Sequence, residues 1–335
     1  MLFCGVAAQA ATQAFSVGAN PVIRISAPSG RVHIIGWNQP TIQINSGNAV
    51  DIQHGDTAFV NAHYPRNLAI PGVTPPSAYN LPSLRAESFA LPNLGSGEHN
   101  GVFLRGSGDI TMRVPMRTSA IIVDVGTGQI AMANLRGTTM VATTRQGGIF
   151  LRNVSGTAFT QTLRGPVVAV NSTFERIRSR SLVGNLSFAH CDVQQIAASS
   201  VTGSVMYDDG RFRPGLARFE SQRGSVAIGI AQGSNAQVNT SRGTVFSHYN
   251  SHSGPVVTAM AGRSVLLYNG SLESHPNLAH RAQIFSAPAF KKARQIRAGG
   301  AYRGKTTNRR VPPGRQRARA GTRRPPRRGH RPPLE

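Results

Sequence analysis

The side chains able to do chemistry are ten histidines, two cysteines and thirteen acidic residues. His190-Cys191-Asp192 sets an imidazole, a thiol and a carboxylate in a row. A nucleophile needs a base within hydrogen-bond reach and a third group to orient that base. Neighbours along a strand point to opposite faces, so these three cannot serve one another, and a core or turn role is expected. His248 and His252 lie in Ser247-His-Tyr-Asn-Ser-His-Ser-Gly254, which reads as strand and turn. There the spacing gives two side chains on one face and no third ligand, and no H-E-x-x-H occurs. Neither a metal nor another cofactor is expected. The sequence holds no G-x-S-x-G elbow, and no Gly-rich run opens a helical pattern that would cradle a phosphate. Asp109, Asp124, Glu175, Asp192, Asp208, Asp209 and Glu220 are scattered rather than periodic, so a calcium or acid–base cluster is not expected. Asp208-Asp209-Gly210 reads as turn chemistry. No catalytic residue is assigned. The chief rival is a polysaccharide-active β-helix enzyme, whose mark would be three or more carboxylates, or an Arg/Lys–carboxylate set, converging in one groove.

Arginine is the other recurring group. Arg136, Arg164, Arg223 and Arg242 each precede a glycine, and Arg164, Arg223 and Arg242 share one phase of the repeat described below. These three are candidate polyanion contacts, as a stripe with gaps. The chain carries 37 Lys+Arg against 13 Asp+Glu, a formal charge of +24. Residues 291–335 hold three Lys and thirteen Arg against Glu335, or +15, and the other 290 residues hold 21 Arg against 12 acids, or +9. The tail over 285–335, with Arg309, Arg310, Arg323, Arg324, Arg327 and Arg328 among prolines and glycines, buries too little to fold, so disorder is expected. It could contact anionic envelope polymers or glycans. Nucleic acid is less favoured, because over residues 291–335 Tyr302 is the lone aromatic and base stacking needs more.

These side chains need elements to hold them. With 15% charged residues and 36 glycines, a mostly helical chain is excluded. After the amino terminus no apolar run is long enough for a membrane helix. Glycines followed by alternating apolar residues recur as Gly108-Asp-Ile-Thr-Met, Gly128-Gln-Ile-Ala-Met, Gly147-Gly-Ile-Phe-Leu, Gly165-Pro-Val-Val-Ala, Gly184-Asn-Leu-Ser-Phe, Gly203-Ser-Val-Met-Tyr, Gly224-Ser-Val-Ala-Ile and Gly243-Thr-Val-Phe-Ser, with Gly262 one residue out of register. The steps are 20, 19, 18, 19, 19, 21, 19 and 19. A second strand in each unit carries Met140, Phe159, Ile177, Ile196, Phe219 and Val238. Two strands of about five residues with two turns fill such a unit. Period-two alternation leaves each unit with an apolar side that only a neighbour can bury, which predicts an all-β, β-solenoid-like stack. The glycines suit corners that need positive φ and close backbone approach.

The motifs resemble the bacterial putative adhesin domain, a family of unknown function. Ser29-Gly-Arg-Val-His-Ile-Ile-Gly-Trp-Asn38 with Thr41-Ile-Gln-Ile is similar to its opening hairpin, Gly108-Asp-Ile-Thr-Met-Arg-Val-Pro115 to the strand before its repeats, and Gly203–Gly210 through Pro214 to Arg218–Val226 to its broader late unit. The resemblance spans roughly 20–270 and implies no catalytic residues. Met1–Ala10 reads as the end of a secretory signal, with Ala8-Gln-Ala10 as its small-x-small site. The expected organisation is then a signal remnant over 1–10, an N-terminal hairpin region over 11–55, a Pro-rich loop over 56–100, the β-repeat domain over 101–275 and the tail. The expected role is a non-enzymatic, exported adhesin or envelope scaffold.

Overall fold

The structure is a computed structural model that describes residues 11–55, 101–250 and 253–275. The signal remnant, the Pro-rich loop and the basic tail lie outside the described residues. Within them the regular structure is β-strand, with a single 3-10 turn at Leu272–Ser274.

The chain opens with β1 (Ala11–Ser16), β2 (Val22–Trp37), β3 (Thr41–Ser46), β4 (Val50–Gly55), β5 (Gly101–Gly106), β6 (Ile110–Pro115) and β7 (Ala120–Ala133). Long and short strands then alternate: β8 (Thr138–Gln146) and β9 (Ile149–Arg152), β10 (Ser155–Arg164) and β11 (Val167–Val170), β12 (Thr173–Val183) and β13 (Leu186–Ala189), β14 (Asp192–Thr202) and β15 (Val205–Phe212). β16 (Ala217–Ser221), β17 (Val226–Ile230), β18 (Gln237–Ser247) and β19 (Val256–Asn269) complete the array. The two strands of a repeat are therefore unequal, not both about five residues long.

From β8 to β15 each long strand pairs in parallel with the long strand one repeat later, and each short strand with the next short one. Met140, Ala158, Ile177, Ile196, Ala217 and Val257 thereby fall in one row of the long ladder. Ile149, Val167, Leu186, Val205, Val226 and Val265 form the matching row of the short ladder. All twelve are buried in one continuous core. Side chains one repeat apart thus come within about 4.8 Å of strand spacing, and each unit covers its neighbour's apolar side. Phe159 departs from expectation. It pairs with Val141 and Arg178, one residue past the inward Ala158, and so lies on the outward side of the ladder.

Both ends of the array depart from chain order. β2 pairs with β5 and β6 on one side and with β7 on the other, so it is inserted between strands that follow one another in sequence. The expected opening hairpin does not pair, because β6 runs between β2 and β3. Antiparallel strands close this end: β4 lies on β5, β3 on β6 and β1 on β3. At the other end β19 enters between β16–β17 and β18, which leaves the largely exposed β18 outermost. The β19 rung therefore follows Gly224, and Arg263 rather than Gly262 lies level with that glycine: Val226 pairs with Val265, and Arg263 N–H donates to Gly224 O at 3.1 Å. Gly262 lies one residue earlier, where an added Cβ would strike Gln222 O, so its shift in register is kept in the fold.

Candidate functional site

The site is positioned by two columns along one corner of the stack. A Cβ built on Gly128, Gly147, Gly165, Gly184, Gly203 or Gly224 would run into the carbonyl of the preceding glycine, and for Gly128 that neighbour is Gly30. Gly128, Gly147 and Gly165 also have φ of 145°, 145° and 150°. Gly184, Gly203 and Gly224 are outside the positive-φ set, so close approach alone demands glycine there. Beside this column a row of buried hydroxyls donates to the glycine carbonyls one rung back: Thr162 to Gly147 at 3.2 Å, Ser181 to Gly165 at 3.2 Å, Ser200 to Gly184 at 2.8 Å and Ser221 to Gly203 at 2.6 Å. The sequence signal for this row is Ser or Thr three residues before Gly147, Gly165, Gly184, Gly203 and Gly224.

Past this corner, β12 gains one residue on β10. Gly156 pairs with Phe174 but Thr157 pairs with Arg176, which leaves Glu175 as a β-bulge. β14 carries a matching extra residue at Gln194. The bulge reverses the alternation. Phe174 and Ile177, three apart, both face the core, and Arg176, Arg178 and Arg180 all turn outward. Gln195, Ala197 and Ser199 of β14 lie beside them in register, and Arg218 and Glu220 of β16 follow beside Ala197 and Ser199.

A trough of about 360 Å³ results. Arg176, Arg178 and Arg180 form one wall, the small Ala197 and Ser199 the floor, and Leu216 with Arg218 the other wall. Leu216 is 75% exposed. Arg176 Nε donates to Gln195 Oε1 at 3.0 Å. Arg218 reaches the buried Glu220 across a long 3.6 Å ion pair, and its Nε has no hydrogen-bond acceptor. Four guanidinium groups thus face one carboxylate. This is an arginine–carboxylate set in one groove, the arrangement named above as a mark of the enzymatic rival, with one carboxylate rather than three. The period-two run Arg176-Ile-Arg-Ser-Arg180 was legible, yet it was passed over in favour of arginines preceding glycines.

Those other arginines are not brought together. Val183 and Thr202 occupy the rungs between Arg164 and Arg223, and the β19 rung separates Arg223 from Arg242. Arg309, Arg310, Arg323, Arg324, Arg327 and Arg328 lie outside the described residues.

His190, Cys191 and Asp192 part company. His190 sits at a corner with φ of 51°, in a series with Asn134, Asn153, Asn171 and Asp209. Asn153 Nδ2 donates to Asn134 Oδ1 at 2.8 Å, and His190 Nδ1 lies 2.9 Å from Asp209 Oδ2, so this corner is a ladder of polar side chains. Cys191 is buried, and desolvation pushes its thiol up to about 12. Asp192 pairs with Arg213 Nε at 2.8 Å. Asp208 is not a turn residue but a buried one, accepting from Tyr268 Oη at 3.0 Å, Ser271 Oγ at 3.2 Å and Leu272 N–H at 2.8 Å. The ring of His248 meets that of His275 at 6.0 Å, while His252 lies outside the described residues. Among the described residues no three His, Cys, Asp or Glu side chains gather in a metal-binding group. None of the described helices is long and apolar enough to cross a membrane.

No protein-family model matches the chain, and no curated protein matches it. Among solved structures, a putative cell adhesion protein from Clostridium sporogenes ATCC 15579 is similar over 78% of this chain and 100% of that chain, with 8% identity and a TM-score of 0.27.

Proposed function

We propose that the protein is a β-solenoid scaffold of the adhesin type, exported and envelope-associated, that holds an extended polymer against its flank without transforming it. The trough between β12 and β16 carries this reading. Its walls come from alternate side chains of parallel strands, and its floor is made of the small Ala197 and Ser199. Parallel neighbours held at a fixed spacing give a rigid surface, which lowers the ordering cost of capturing a flexible chain. The glycine and hydroxyl columns fix that spacing rung by rung.

The test is chain-length dependence. Affinity of the full chain for a graded series of oligosaccharides rises with length until the trough is filled and then levels. Equal affinity for monomer and oligomer contradicts the reading. Export is tested by fractionating cells that make the protein from its own locus, and retention in the cytoplasm opposes it.

A second reading, cleavage of the bound polymer, is favoured by the Arg218–Glu220 pair within the trough. New reducing ends released during the same titrations would replace the scaffold reading with this one.

A further inference from the structure

We infer that the polymer held in the trough is an acidic polysaccharide, gripped by Arg176, Arg178, Arg180 and Arg218. This inference rests on the trough being a polymer-binding face. The three β12 arginines alternate along a parallel strand, so their positions repeat about every 6.6 Å. β12 and β16 lie two strand spacings apart, roughly 9.6 Å, which admits one extended chain and excludes a nucleic-acid duplex. Guanidinium groups match carboxylate or sulfate in a bidentate geometry, so a regularly spaced row of them suits a polymer with regularly spaced anions.

The remaining lining chooses among polyanions. Gln195 and Ser199 set amide and hydroxyl groups among the arginines. Such a mixture serves a ligand that carries hydroxyls as well as charge, which a polysaccharide does. No aromatic side chain lines the trough, so stacked bases of a single-stranded nucleic acid find no platform. Glu220 is engaged by Arg218, and four cations against one anion leave the trough attractive to negative charge.

The experiment titrates the full chain with a short oligogalacturonate, a neutral oligosaccharide of equal length and a single-stranded oligodeoxynucleotide, between about 50 and 200 mM salt. Two variants are compared: Arg176→Ser/Arg178→Ser/Arg180→Ser, and a tail variant with Arg309, Arg310, Arg323 and Arg324 replaced by Ser. All seven positions are surface or tail sites, and circular dichroism verifies the fold of each variant. The trough variant is expected to weaken oligogalacturonate binding at least about tenfold and to flatten its salt dependence, while the tail variant leaves most of the affinity intact. Loss of binding with the tail variant alone overturns the inference. Neutral oligosaccharide bound as well as the acidic one, and indifferent to the arginines, overturns the acidic assignment but leaves the scaffold reading standing. No binding by any oligosaccharide removes both. Tighter, trough-dependent binding of the oligodeoxynucleotide replaces the polysaccharide with nucleic acid.

Discussion

Ser200 donates its hydroxyl to the carbonyl of Gly184 at 2.8 Å, one rung back along the stack. The hydroxyl is buried, and the same bond recurs from Ser181 to Gly165 and from Ser221 to Gly203. Ser200→Ala is expected to cost about 1 kcal/mol, the net worth of a neutral buried hydrogen bond. Ser200→Thr keeps the donor that Thr162 supplies elsewhere and should cost less. Urea unfolding of both variants checks the order.

Three glycines separate conformation from crowding. Gly137 has φ of 63° with nothing within 4 Å of an added Cβ, so Gly137→Ala should cost only the left-handed strain, about 1–2 kcal/mol. Gly203 lies outside the positive-φ set, but its Cβ would strike Gly184 O. Gly165 combines both problems, with φ of 150° and Gly147 O in the way. Thermal unfolding should rank Gly165→Ala as the most damaging, with Gly203→Ala worse than Gly137→Ala. A Gly203→Ala protein as stable as the parent would contradict the close stacking.

Much of this corner was legible beforehand. The glycine period, the all-β class and the inward rows through Met140, Ile177 and Ile196 follow from residue spacing, because a two-residue alternation interrupted by glycines has few ways to bury itself. The end exchanges were not legible. Gly30 stacks between Gly108 and Gly128, and nothing local distinguishes a strand that continues the stack from one inserted between later strands. The inward Ile177 already turns Arg176, Arg178 and Arg180 outward; what stayed hidden was the bulge at Glu175, since unbroken alternation from Phe174 sends the same arginines inward. The three-residue step between the buried Phe174 and Ile177 was the available clue.

Asp208 anchors the turn after β19 to the outer side of β15, beneath a small cluster of Met206, Ala227, Leu266, Tyr268 and Leu272. Burial raises its carboxyl above the usual range, against the opposing pull of the Leu272, Tyr268 and Ser271 donors and of His190. A raised folded pKa means that the native state holds the proton more tightly than the unfolded chain. The stability this supplies is full below the ordinary carboxylate pKa and declines as pH climbs through the raised value. Asp208→Asn cannot titrate and lacks the second acceptor oxygen. The parent's advantage over this variant should therefore be largest in acid and narrow toward neutrality, as measured by urea unfolding across that range. An advantage that widens with pH would contradict the assigned shift.

Cys191 should be silent in the folded protein. With its thiol buried and pushed up to about 12, almost no thiolate exists at neutral pH. A chromogenic disulfide reagent is expected to react only at the rate of unfolding, and Cys191→Ala should leave polysaccharide binding unchanged while costing stability through the cavity it leaves. Rapid labelling of the native protein would show that this corner opens.

Hydrogen exchange of the full chain with and without a saturating oligogalacturonate tests the central claim most directly. Binding in the trough predicts slowed exchange in peptides covering β12, β14 and β16, from Thr173 to Ser221, with the N-terminal antiparallel strands unaffected. Slowed exchange confined to residues 291–335, or none within β12–β16, would contradict it.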